Sequence, residues 1–290
     1  MTTNKWLYPP VTLLNPTSTF TQVLASRQMQ SKKSKLAVTL GISGQSHPEI
    51  VNLHDLSHVL IGGTTGSGKS MLLHTWICSL LMRTTPQEVR LILVDPKRVE
   101  LLGYDGMPHL LTPVLLEMDK CISALMWMKK EMENRYKQLN EVGVKNIDEY
   151  NKLSGFQALP YIVVIIDEFS DLMAYDGKKV DTIMRLLAMM SRATGIHTVI
   201  STSRVGKDVY PGEMKAFFPT HIAFNTADKK ASNLILDMEG AELLLGSGDM
   251  FIQLPGKVKV KRVQGAYISE KEVDKIVTFS KLPRAYAAWL

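Results

Sequence analysis

The sequence predicts an α/β protein with a mainly parallel central sheet flanked by helices and a short terminal β pair. Three observations carry this. Val59, Leu60 and Ile61 form an apolar run that leads directly into Gly63-x-x-x-x-Gly68-Lys69-Ser70, and a helical stretch follows. Tyr161 to Ile166 is a second apolar run, and it ends in the adjacent carboxylates Asp167 and Glu168. Strand-length apolar runs alternate with helix-length amphipathic segments from Val59 to Asp237, which is the pattern of successive βα units.

At 290 residues the chain can bury a full core, and 45% hydrophobic with 21% charged residues is ordinary for a soluble globular protein. No apolar run is long enough to span a bilayer, and Met1-Thr-Thr-Asn-Lys-Trp6 does not open like a signal peptide. Cys78 and Cys121 show no CxxC spacing and fit buried thiols in a reducing, cytoplasmic setting. The seven histidines form no ligand pattern; His54 and His58, four apart, sit in a loop entering a strand. The net charge of +6 is uneven, with Lys32, Lys33 and Lys35 before the core and Lys257, Lys259, Lys261 and Arg262 after it. Such clusters are solvated faces or contacts for a polyanion.

Along the chain, residues 1–57 are expected as an extended lead-in, 58–281 as the main domain and 282–290 as a tail. The prolines of Trp6 to Pro16 rule out a helix there. A short helix is expected around Thr21 to Met29, and a strand from Lys35 to Leu40 broken by Gly41 and Gly44. Met71 to Met82 is a helix ended by Pro86, and Val89 to Val94 is a strand tipped by Asp95-Pro96-Lys97, polar groups that fit either a ligand edge or a solvated loop. Asp119 to Asn140 is a long helix with Ile122, Leu125, Met126, Met132, Tyr136 and Leu139 on its apolar face. Asn146 to Ala158 is polar and turn-rich. A helix over Lys179 to Ala193 buries Ile183, Leu186, Leu187 and Met190 and places Arg185 and Arg192 on one face. Strands follow at Thr198 to Ser201 and His221 to Asn225, a helix at Lys229 to Asp237, and the β pair at Met250 to Leu254 and Val258 to Tyr267.

The first landmark is a phosphate-binding loop, Gly63, Thr64, Thr65, Gly66, Ser67, Gly68, Lys69 and Ser70. A chain wrapped around a polyphosphate must turn its N–H groups inward with no Cβ in the way, and the glycines allow that. The helix opening at Lys69 aims its positive end at the phosphates. Lys69 would reach the terminal phosphates of ATP, and Ser70 would enter a Mg²⁺ shell. A glycine-rich turn alone would explain the spacing less completely.

The second landmark is the strand end at Asp167-Glu168. Asp167 would hold Mg²⁺ through water and Glu168 would orient and deprotonate the attacking water. In isolation the pair also fits a helix N-terminal charge. A glutamate directly after the aspartate suggests the RecA-like order, with the strand Thr198 to Ser201 between the two landmarks. Thr202 and Ser203 at its tip are then either hydrolysis sensors or a mere strand end.

From about Phe20 to Lys281 the sequence resembles the motor domain of the FtsK/SpoIIIE family of DNA translocases. The likeness rests on His58 to Ser70, Leu91-Ile-Leu-Val-Asp-Pro-Lys97, Val99-Glu-Leu101, Met107 to Pro113, Asp167-Glu-Phe-Ser-Asp-Leu-Met173, Gly195-Ile-His197 and Gly240 to Met250, in order at the family's spacing. The resemblance implies a homo-hexameric ring that moves double-stranded DNA at the expense of ATP, with chromosome segregation or DNA transfer as the process. It implies an arginine at Arg192 that reaches the neighbouring subunit's nucleotide, where the residue itself fits a helix C-terminal charge equally. It implies DNA contacts at Arg204 and Lys229.

Four departures stand out. Thr202-Ser203-Arg204-Val205 replaces the family's Thr-Gln-Arg-Pro, and Asn233 stands where a family arginine does, with Lys230 positioned to compensate. A subdomain that the family carries between segments like Tyr8 to Leu14 and Phe20 to Leu24 is missing, and no winged-helix module or membrane anchor follows by Leu290. Two rival functions remain on the sequence alone: a secretion-type ATPase acting on protein, and a nucleotide-binding assembly module that does not hydrolyse.

Overall fold

The computed structural model describes residues 6–154, 158–210, 212–257 and 259–282. Its centre is five parallel strands in the order β7-β3-β6-β5-β4: β3 Val59–Gly62, β4 Val89–Val94, β5 Tyr161–Ile166, β6 Ile196–Thr202 and β7 Thr220–Phe224. β6 lies between β3 and β5, as the adjacent carboxylates suggest. Four antiparallel strands extend the sheet to nine: β8 Asp249–Gln253, β9 Lys261–Gly265, β1 Ala37–Ser43 and β2 His47–Asn52. The open edge of β4 is covered by the loop at Leu110 and Leu115, whose backbone pairs with Leu91 and Val94.

Strand alternation sorts side chains into two core layers. Val59 and Ile61 of β3, with Val163 and Ile165 of β5, face α1 Thr19–Ala25, α4 Lys69–Leu81 and α10 Glu270–Lys281, where Trp76 is fully enclosed. Leu60, Ile162, Val164 and Ile166 face α5 Met118–Val142, α7 Phe169–Met190 and α9 Lys229–Leu236. Truncating Trp76 to alanine would cost about 3–5 kcal/mol. The remaining helices are short: α2 Arg27–Gln30, α3 Leu53–Leu56, α6 Ile147–Ser154 and α8 Gly212–Phe217.

Several expectations need correction. The lead-in holds more than the expected helix and strand: α1, α2 and the β1–β2 hairpin are built from it, and Phe20, Leu24 and Leu40 reach the core. The helix expected from Thr21 to Met29 is two helices, because the Ser26 side chain accepts the Met29 N–H and caps α2. Gly41 does not break its strand; at φ +155 it lets β1 approach β9 so closely that a Cβ would stand 2.0 Å from the Gln264 carbonyl oxygen. Asn146 to Ser154 holds a helix, α6, rather than only turns.

On α5, Met126 is exposed and Met128 takes the buried place, while Arg135 is buried with Nη1 donating to the Pro160 and Thr194 carbonyls at 2.9 Å each. α7 starts ten residues earlier than expected and kinks at Asp176 (φ −148, ψ 66). Met190 is exposed at its end. Arg192 lies beyond α7 on the short turn Ser191–Thr194, so it does not share a helical face with Arg185. The tail from 283 and Val258 fall outside the described residues. Among the described residues, no helix is long and apolar enough to cross a membrane. Both cysteines are buried and free, as expected.

Candidate active site

The glycine turn follows β3 directly. Gly63 (φ +154) and Gly68 (φ +120) adopt backbone that other residues avoid, and there is no room besides: a Cβ on Gly68 would lie 2.7 Å from the Gly248 backbone. The turn is fastened from its neighbours. Thr64 N donates to the Asn225 carbonyl at 2.8 Å, Ser67 Oγ to the Thr64 carbonyl at 2.7 Å, and Gly248 N to the Ser67 carbonyl at 2.8 Å. Thr65 and Gly66 stay exposed at the crest. The N-cap of α4 is Gly68, which has no side chain to accept the first-turn N–H groups, so they are available to an anion. Lys69 is buried, and its Nζ donates to the Gly63 and Thr64 carbonyls at 2.8 Å each. Burial lowers its pKa, against the pull of Glu168 and Asp167.

The carboxylates stand at the end of β5, two strands away. Asp167 is buried and its N–H bonds the Val94 carbonyl at 2.9 Å, tying the tips of β5 and β4 together. Burial, and then the charges of Glu100, Asp95 and Glu168, raise its pKa to about 6.

Glu168 has left-handed backbone (φ 51, ψ 62), and its carboxylate is gripped from three sides. Lys97 Nζ donates at 2.7 Å, Thr202 Oγ1 at 2.6 Å, Ser203 N and Oγ at 2.9 and 2.6 Å, and Ser170 Oγ at 2.8 Å. Burial pushes this carboxyl up, but the bonds from Lys97, Ser203 and Thr202 outweigh it and hold the group well below the usual carboxylate range. Thr202 and Ser203 therefore meet the glutamate itself. The sequence separates these residues by more than 30 positions; the strand order β6 beside β5 brings them together.

The residues present fit a magnesium nucleoside triphosphate. A cavity of about 460 Å³ opens from Gly66, Gly68, Lys69 and Ser70 toward His74, Glu100 and the start of α10. The uncapped start of α4 and the Lys69 ammonium suit phosphates. Ser70, Asp167, Glu100 and Asp95 supply the hard oxygen donors that Mg²⁺ prefers, and Asp95 Oδ1 is buried with no partner among the described residues. Among those residues no three His, Cys, Asp or Glu side chains could enclose an ion unaided, so phosphate oxygens and water would complete its shell.

Arg192 is exposed on its turn, and its charge is felt by the buried His58 and His197. The loops after β6 and β7 run side by side, and Ser203, Lys207 and Lys230 line a groove of about 410 Å³ that begins at Gly63 and Thr64. Arg204 pairs with Asp208, and Lys229 with Glu239 at 2.7 Å, both pairs on the surface. The sequence assigns no role to Glu100, though Val99-Glu-Leu101 is among the segments that carry the resemblance, nor to Lys207, and it leaves Lys97 undecided between a ligand edge and a solvated loop. No spacing rule links Glu100 to Ser70, since a loop after another strand delivers it.

The family model described as FtsK/SpoIIIE family matches residues 19–207. The chain belongs to this family. It is 43% identical to the "DNA translocase FtsK" of Brucella melitensis over 90% of this chain and 36% of that protein, and 45% identical to that of Caldanaerobacter subterraneus subsp. tengcongensis over 90% and 37%. It thus spans about a third of the length of these curated relatives. Among solved structures it is similar to the conjugation coupling protein TcpA of pCW3, in monomer form with ATPγS, at TM-score 0.74 and 30% identity, over 85% of this chain and 71% of that one. A likeness to the cytoplasmic domain of the type VII secretion ATPase EccC of Thermomonospora curvata concerns the fold alone, at TM-score 0.76 and 21% identity over 100% of this chain and 34% of that one. The fold of this FtsK/SpoIIIE-family chain is that of P-loop ATPases.

Proposed function

We propose that this chain is the ATP-hydrolysing core of a motor that moves along double-stranded DNA. The observation that carries the proposal is the placement of the glycine turn and Asp167-Glu168 at one sheet edge, with the groove lined by Lys207 and Lys230 opening from the same turn. Membership of a family whose named relatives are DNA translocases supports DNA as the partner.

In this reading the first-turn N–H groups of α4 and Lys69 hold the phosphates, and Lys69 exchanges its bonds to the Gly63 and Thr64 carbonyls for bonds to them. Ser70 and Asp167 hold Mg²⁺, which when bound neutralises charge on the phosphoryl oxygens. Glu168 orients water and takes its proton; Thr202 and Ser203 set the direction of that carboxylate and so sense the nucleotide through it. Arg192 reaches the site of a neighbouring copy in a hexameric ring, stabilising charge that develops on phosphoryl transfer. Arg204, Lys229 and Lys230 contact DNA phosphates without reading sequence.

The test is phosphate release with and without long duplex DNA at low salt. Stimulation by the duplex supports a DNA motor. Turnover that ignores duplex at every salt concentration would instead favour a protein substrate, and no turnover an assembly role.

A further inference from the structure

Tyr104, His74, Glu100 and Ser70 form one line of polar contacts running from the core to the glycine turn. The Tyr104 hydroxyl lies 2.7 Å from His74 Nδ1, and His74 Nε2 lies 3.5 Å from a Glu100 oxygen. Ser70 and Glu100 line the same cavity, and the Glu100 carboxyl is held below its ordinary range by His74 first and, against burial, by the Ser70 hydroxyl as well. Tyr104 is buried, so the far end of the line is fixed in the core. His74 is one helical turn after Ser70 on α4, and Glu100 is brought to both from the loop after β4.

That loop is itself held. Asp95, at the tip of β4, is fully buried, and its Oδ2 accepts the N–H groups of Glu100 at 3.0 Å and Leu101 at 2.8 Å. Its other oxygen, Oδ1, has no partner among the described residues. A buried carboxylate oxygen left without a donor is destabilising, so its retention needs a reason. A serine oxygen that gives a lone pair to a cation must pass its hydrogen to an acceptor, and Glu100 is the carboxylate that lines the cavity beside Ser70.

Resting on the nucleotide reading, we propose that Glu100 is a positioning residue for the magnesium ion. It takes the Ser70 hydrogen, leaves the serine lone pairs for the ion and, with Asp95 Oδ1, accepts hydrogen bonds from the ion's water molecules. His74 holds Glu100 in this place.

The proposal separates metal-dependent from metal-independent binding, which a merely structural role would not do. The probe is a fluorescent N-methylanthraniloyl ATP, titrated in EDTA and then at rising Mg²⁺, with the parent chain, Glu100→Gln and Glu100→Asp. In EDTA, Glu100→Gln binds the probe as well as the parent or better, because a negative charge beside the phosphates is gone. Its half-saturating Mg²⁺ rises about tenfold or more, and Glu100→Asp restores part of the loss. An unchanged Mg²⁺ requirement in Glu100→Gln, or equal weakening with and without metal, would overturn the role of Glu100 and leave nucleotide binding intact. Failure of the parent to bind the probe at all would overturn the nucleotide reading and this inference together.

Discussion

The Lys97 ammonium lies 2.7 Å from Glu168 Oε2, and it reaches the glutamate from the tip of β4 while Thr202 and Ser203 reach it from β6. Glu168 is therefore set between two neighbouring strand ends, and the direction of its carboxylate reports their relative position. The Ser203 loop continues into the groove lined by Lys207, Asp228 and Lys230, so a shift of that loop would be felt at Glu168.

Replacing Glu168 with glutamine keeps the size, turns one of the two acceptor oxygens into a donor and removes the proposed base. Phosphate release is expected to fall by about 10²–10⁴-fold, with nucleotide affinity changed by less than about threefold. Parallel turnover and equilibrium binding measurements check this; an unchanged rate would assign water activation to another group.

Thr202→Val removes one buried donor to Glu168 at nearly constant volume. If Thr202 acts by aiming the glutamate, kcat falls by about tenfold or more while KM stays put, as for an interaction expressed in the transition state. A rise in KM at constant kcat would place Thr202 in ground-state binding instead.

Gly68→Ala and Gly66→Ala separate backbone strain from crowding. Both positions have positive φ, but a Cβ at Gly66 meets nothing within 4 Å, whereas at Gly68 it meets Gly248. We expect roughly 1–2 kcal/mol of destabilisation at Gly66 and clearly more at Gly68, with nucleotide binding weakened at both, since both line the cavity. Thermal melts of the two variants, with and without nucleotide, give the comparison.

How much of this was legible beforehand depends on how local the cause is. The apolar run of β3, the glycine spacing and the end of β5 lie within single segments, so the turn and the two acids could be placed from their neighbours in sequence. The extension of the sheet by β9, β1 and β2 could not, because Gly41 owes its place to the Gln264 backbone far along the chain. Arg135 on α5 is buried because two carbonyls from other loops receive it, and a periodicity count sees only a charged residue. Met126 and Met190 carry no polar group to mark them as exposed. The donors around Glu168 come from three elements, which a linear pattern cannot rank.

Acid should destabilise the fold through its enclosed imidazoles. Burial lowers His58 to about 3, helped by the charges of His197 and Arg192, and His197 to about 4, helped by those of His54 and Arg192, and burial lowers His109 to about 4. Each is neutral in the folded chain, while its unfolded counterpart takes up a proton near pH 6.5. Stability is thus complete above that pH and declines as pH falls toward 4, on the order of 1–2 kcal/mol per imidazole by pH 5. Urea unfolding at pH 7.5 and pH 5 measures this; equal midpoints would mean that the three rings are hydrated.

The most direct test of the central claim is a structure of this chain with magnesium and ATPγS. The account predicts the triphosphate in the glycine turn, with Lys69 Nζ released from the Gly63 and Thr64 carbonyls and bonded to phosphate oxygens, and with Asp167 and Glu168 facing the terminal phosphate. A nucleotide bound elsewhere, or Lys69 still held by those two carbonyls beneath a bound phosphate, would contradict it.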